Sequence, residues 1–328
     1  MSRLEVRVGA IYNQYDLKSL PFDMQQFSSE WGKRLEQAGL GNIAEDISLD
    51  GVGREFLSEP LSDEAVKRVN ASETLVSAKD AEDFQRSVAL TDIQESHEKL
   101  VDLRKKDMAW TFTDARYHEA CGPWAGKEKL FLVRESVATR LSRLATLLSR
   151  IDVGMHFEDG FRPLGVQEGL FARRIAMARD THPEWSDEEL VLEARSKTAY
   201  TPRFAAHKAG AAVDVRLFDI GTGNFHDIGH AYPDGGEIVR LNTEFVTQHQ
   251  WSNRKILEHL AKASGLSMYP YEDWHLCYGD ATAAVVDSNG QPPFAAKYGP
   301  VKTYDATTGE VLEVYDQEEL DAVFALKG

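Results

Sequence analysis

The stretch His207-Lys208-Ala209-Gly210-Ala211-Ala212-Val213-Asp214 constrains this chain more than any other. It leads into Val215-Arg216-Leu217-Phe218. The alternation puts Val213, Val215 and Leu217 on one face and Ala212, Asp214 and Arg216 on the other. A strand over 211–218, packed on its valine side, therefore carries a carboxylate beside the core. Such a carboxylate is costly unless it is paired or bound to a metal. His207, seven residues before Asp214, supplies an imidazole, and the small Gly210 and Ala212 leave room for backbone or an ion to approach.

Two further segments carry chemistry. Glu272-Asp273-Trp274-His275 adds a second imidazole with a carboxylate three residues before it, at the start of a strand over 275–278. Asp159-Gly160-Phe161-Arg162-Pro163 ends a strand with an arginine on a turn. Two histidines and one carboxylate, with a fourth position open, form a catalytic zinc set; a structural site normally closes with four protein ligands, often cysteines. Glu272 is then the natural general base. In a continuous strand an offset of three would turn it away from His275, but Pro270 just upstream predicts a turn that removes the objection. Asp273 is the rival base.

These motifs resemble the zinc-dependent D-Ala-D-Ala dipeptidases of the vancomycin-resistance type, grouped with the D-Ala-D-Ala carboxypeptidases and the hedgehog-like zinc fold. The family pattern Ser-x-His-x-x-Gly-x-Ala-x-Asp is matched by His207, Gly210, Ala212 and Asp214, with Ala205 in place of the serine. Glu-x-Trp-His is matched by Glu272, Trp274 and His275. Asp-Gly-Tyr-Arg-Pro is matched by Asp159, Gly160, Arg162 and Pro163, with Phe161 in place of tyrosine. The resemblance implies one Zn²⁺ held by His207, Asp214 and His275, with Glu272 moving protons and Arg162 stabilising an oxyanion. It further implies substrate contacts from Tyr117, Asp234 and Trp274. The family's acidic anchor for a substrate amine falls near Pro233-Asp234.

The rest of the 328 residues reads as α+β, with helices and short strands mixed and no regular βαβ alternation. The resemblance implies a central antiparallel sheet with flanking helices over 110–285. Residues 1–109 read as a mainly helical extension, with a strand at Leu4–Ala10, an amphipathic helix over 22–40 stopped by Gly39 and Gly41, and a charged helix over 80–108. They show no chemistry of their own and suit a cap or a homo-oligomer contact. Helices follow over 128–150, 164–180 and 253–263, and Ser186 with Glu189 announces another over 187–197. Residues 286–328 read as a hairpin followed by a short acidic helix.

Charge and composition exclude several classes. Lysine and arginine total 37 against 53 aspartates and glutamates, a net charge of −16. That argues against nucleic acid as a partner, because phosphate binding needs clustered cations. No run reaches the roughly 18 apolar residues of a membrane span, and the first residues lack a secretory pattern. With only Cys121 and Cys277 there is no disulfide framework, so a cytoplasmic protein is expected. The remaining histidines read plainly. His226 and His230 sit among glycines and suggest a loop, and Cys277 and the Cys121–His118 pair suggest packing.

The expected activity is hydrolysis of a dipeptide amide, D-Ala-D-Ala being one substrate. A related zinc amidase or carboxypeptidase on a modified peptide or specialised metabolite is the nearest alternative. A zinc-stabilised binding module without turnover is the other.

Overall fold

The computed structural model describes residues 18–71, 75–199, 206–316 and 318–319. The expected strand at Leu4–Ala10, Ala205 and most of the acidic tail helix lie outside them. The elements that frame the site are, in chain order, α1 (Leu75–Ala89), β1 (Trp110–Phe112), α2 (Glu135–Ser149), β2 (Val153–Asp159) and α3 (Leu164–Thr181). They continue with α4 (Asp187–Lys197), β3 (Ala212–Asp219), α5 (Gln248–Ala263), β4 (Ser267–Met268) and β5 (His275–Cys277).

The fold is α+β. Its central sheet has the order β1-β2-β3-β5-β4. The sheet is antiparallel except at one edge, where β1 runs parallel to β2, which corrects the wholly antiparallel expectation. On the core side Val213, Val215 and Leu217 pack with Met155 and Phe157 of β2 and with Leu141 and Leu144 of α2. These side chains are almost fully buried, as the alternation requires. On the other face Asp214 lies opposite His275 in β5 and pairs with Asp159 in β2. Register thus fixes three site residues at once, since a slip of one residue would send Asp214 into the apolar core.

Residues 24–37 form a helical run whose middle, Ser28–Gly32, is a π segment. Phe27, Trp31 and Leu35 turn one face into the same core as Leu141, Leu144 and Trp251. The Trp31 indole N–H donates to Asn253 Oδ1 at 3.0 Å. Gly39, at φ +71°, takes the left-handed conformation that ends the run, whereas Gly41 begins the next helix, Gly41–Gly51, instead of acting as a stop.

The expected long helix over 80–108 is corrected. α1 ends at Ala89, and Leu100–Asp102 is a short strand paired with Leu132–Arg134. Tertiary backbone bonds override the helical spacing: Gln94 donates to Ala296 at 2.8 Å and Leu100 to Gly309 at 2.7 Å. Further on, α2 begins only at Glu135, and the 187–197 helix has the expected box between Ser186 and Glu189. The hairpin Val301–Tyr304 with Val311–Val314 is present.

Candidate metal centre

His207 enters from the short turn Ala206–Ala209 just before β3. Gly210, at φ +66°, makes the bend between them, which a side chain would strain. The His207 Nδ1–H donates to the Gly160 carbonyl at 2.8 Å, which leaves Nε2 facing Asp214 Oδ1, 3.2 Å away. His275 Nδ1 lies 3.0 Å from the same oxygen. Ligand atoms of His207, Asp214 and His275 all fall within 4.8 Å of one another, and all three residues are buried.

The other oxygen of Asp214, Oδ2, accepts from Arg162 Nη2 at 3.2 Å and from the Tyr232 hydroxyl at 2.9 Å. Arg162 also donates to Asp159 Oδ2 at 3.1 Å, and Lys129 lies 3.6 Å from that carboxylate. Burial would raise the Asp214 carboxyl, but His207 and His275 hold it well below its usual range. Burial lowers the His207 pKa, with Arg162 adding to the effect. An imidazole tied back through its other nitrogen, a carboxylate and a second imidazole facing one point fit a metal such as zinc.

Glu272 reaches the cluster through two successive turns. Its N–H donates to the Tyr269 carbonyl at 3.2 Å, and its own carbonyl accepts from His275 N–H at 3.3 Å. The turn expected from Pro270 is therefore present, and Glu272 Oε2 lies 3.8 Å from His275 Nδ1. Burial raises its carboxyl, with Asp214 adding to the shift against the pull of His275 and Arg162. Asp273, the rival base, is committed elsewhere. Its buried carboxylate holds His230 Nε2 and Arg254 Nε, each at 3.0 Å.

The remaining expectations separate clearly. Tyr117 and Trp274 line the cavity over the cluster, but the Tyr117 hydroxyl proton is committed to the Phe161 carbonyl at 3.1 Å. Trp274 is buried, with its ring centroid 5.2 Å from those of His230 and Tyr232. Asp234 is exposed at the lining, and its Oδ2 accepts from Ala231 N–H at 2.9 Å. His226 packs against Trp31, and burial lowers it to about 4. Cys277 sits among Ala206, Ala212 and Ala283, and Cys121 among Tyr117 and Val166. Tyr232 was not singled out from sequence, and its place just before Pro233-Asp234 is the one signal that could have found it.

A His/Asp/His cluster beneath an open cavity, on an α+β sheet and faced by a glutamate, is the layout of a metallopeptidase. Residues 97–292 match the family model described as D-ala-D-ala dipeptidase, and the chain belongs to that family. A solved structure of the LdcB LD-carboxypeptidase, described as revealing the molecular basis of peptidoglycan recognition, aligns with 63% of this chain and 82% of its own. Its identity is 17% and its TM-score 0.36. No curated protein matches the sequence. Among the described residues no helix is long and apolar enough to cross a membrane.

Proposed function

We propose that this chain hydrolyses the amide bond of a dipeptide, D-Ala-D-Ala among the substrates to be tried, at a zinc ion held by His207, Asp214 and His275. When bound, zinc supplies a Lewis acid and lowers the pKa of a coordinated water toward about 7. Glu272 takes the proton of the attacking water and returns it to the leaving amine. Arg162 places a fixed cation where the oxyanion develops, an interaction whose loss typically costs about 2.7–4 kcal/mol. Its own partners, Asp159 and Asp214, hold the guanidinium in place and charged, more than offsetting burial.

The observation that carries this reading is the division of labour between neighbours. Glu272 faces the cluster inside the cavity, while Asp273 is locked into the core by His230 and Arg254. A pure binding module has no use for a free carboxylate beside the metal. Zinc-loaded protein should release amino acids from a member of a panel of D,D-, L,D- and L,L-dipeptides. The Glu272→Ala variant should keep the metal and lose turnover, and unchanged turnover would end the assignment of the base.

The amidase or carboxypeptidase alternative is favoured by Asp234, whose exposed carboxylate already holds Ala231 N–H. Faster turnover of N-acylated peptides than of free dipeptides would select it.

A further inference from the structure

The cavity, about 490 Å³, extends past the metal cluster into a region that the hydrolytic residues do not occupy. That size falls within the roughly 300–1,000 Å³ typical of sites for larger ligands. On one side α3 presents Gln167, Leu170, Arg174 and Met177, spaced as one helical face, with Arg173 beside them. The α1 residues Phe84, Gln85 and Val88 also line the cavity. The Phe84 ring lies 5.6 Å from both Tyr269 and Tyr271, and Tyr269 lies 5.6 Å from His275. A chain of aromatic contacts therefore joins a metal ligand to α1. That helix precedes residue 97, where the family match begins.

Most cations of this lining are already matched. Arg162 and Lys129 share Asp159, Arg116 pairs with Glu128, and Arg240 pairs with Glu237. Arg173 and Arg174 differ. Among the described residues neither has a hydrogen bond or a carboxylate within ion-pair distance. Arg174 is partly buried, pressed by the like charge of Arg173, and reached by Glu272 and Glu193 only at longer range. Arg173 is exposed, so the like charge bears mainly on the partly buried Arg174, and a bound anion would relieve it.

We propose that this end of the cavity is a subsite for a second anionic group of the substrate, a side-chain carboxylate held by Arg173 and Arg174 against the apolar wall of α1. The inference rests on the hydrolase reading and narrows it: the preferred substrate is an acidic peptide, and D-Ala-D-Ala, which has no side-chain carboxylate, is a poor one. The N-terminal segment then has a task, lining the cavity with Phe84, Gln85 and Val88 of α1.

The test uses zinc-loaded full-length protein and matched peptides that differ only in carboxylate or amide, Ala-Glu with Ala-Gln and Glu-Ala with Gln-Ala, in L and D forms. One acidic peptide should exceed its amide in kcat/KM by about tenfold or more. In the Arg173→Gln/Arg174→Gln double variant that ratio should fall to about one, with zinc content and melting temperature confirming the fold. Equal turnover of acid and amide by the unaltered protein, or a preference that survives the double variant, overturns the subsite and leaves the hydrolase standing. The same pairs are titrated calorimetrically into zinc-loaded Glu272→Gln protein. Arginine-dependent binding of the acid without turnover by the unaltered protein would keep the subsite and overturn the hydrolase.

Discussion

The Tyr232 hydroxyl donates to Asp214 Oδ2 at 2.9 Å, on the oxygen that Arg162 Nη2 reaches at 3.2 Å. These two donors occupy one side of the carboxylate and leave Oδ1 to His207 and His275, at 3.2 and 3.0 Å. The proposed metal ligand is thus oriented from behind. Tyr232→Phe should weaken zinc binding by about 10- to 100-fold, the usual effect of losing a partner that orients a ligand. Competition titration with a chromogenic chelator measures it.

Asp214→Asn should abolish zinc retention through gel filtration. The amide is a poor ligand, and it also withdraws the negative charge that faces Arg162, His207 and His275. Stripping the unaltered protein with a chelator should lower its melting temperature, and added zinc should restore it, because a ligand of the folded state alone stabilises that state. Metal analysis with thermal unfolding decides both points.

Gly160 ties packing to the proposed metal site. A Cβ there would lie 2.6 Å from Leu130 O and 3.0 Å from Phe131 Cα, both backbone atoms with little freedom to move. Its carbonyl is the acceptor that orients His207. Gly160→Ala should cost about 1–3 kcal/mol of stability and lower zinc affinity with it. Urea unfolding and zinc titration should change together.

Glu98 gives the fold an acid limit away from the site. Its carboxylate accepts from Ser136 Oγ at 2.6 Å, from Ser136 N–H at 3.1 Å and from the Tyr298 hydroxyl at 2.6 Å. Burial alone would raise this carboxyl, but Ser136, Tyr298 and Arg134 bring it below 4.5. A carboxyl lowered on folding stabilises the protein above its unfolded value, and that stability is lost as pH falls through the folded value. Glu98→Gln should flatten that part of the stability–pH curve and cost about 1–3 kcal/mol at neutral pH. Urea unfolding at a series of pH values reads both effects.

The cluster of His207, Asp214 and His275 was legible because strand alternation isolates Asp214 from its valine neighbours, and Glu-Asp-Trp-His is a compact local pattern. The choice between Glu272 and Asp273 was not, because it depends on Arg254 of α5 and His230 of a distant loop reaching one of the two. Leu100 and Leu103 keep helical spacing with Phe84 and Val88, yet they belong to different apolar clusters. Periodicity cannot show that long-range pairing with residues 296 and 309 has drawn that segment straight. The cavity wall built by α1 was hidden for the same reason, since Phe84 meets Tyr269 and Tyr271 only after the chain has folded.

Zinc-dependent hydrolysis with Glu272 as the base underlies every functional role assigned above. The most direct test is turnover of the dipeptide panel by purified protein of known zinc content, beside Glu272→Ala protein of the same content. About one zinc per chain is expected in both proteins, with amino-acid release by the first and none by the second. Zinc-loaded unaltered protein that cleaves no peptide in the panel would contradict it.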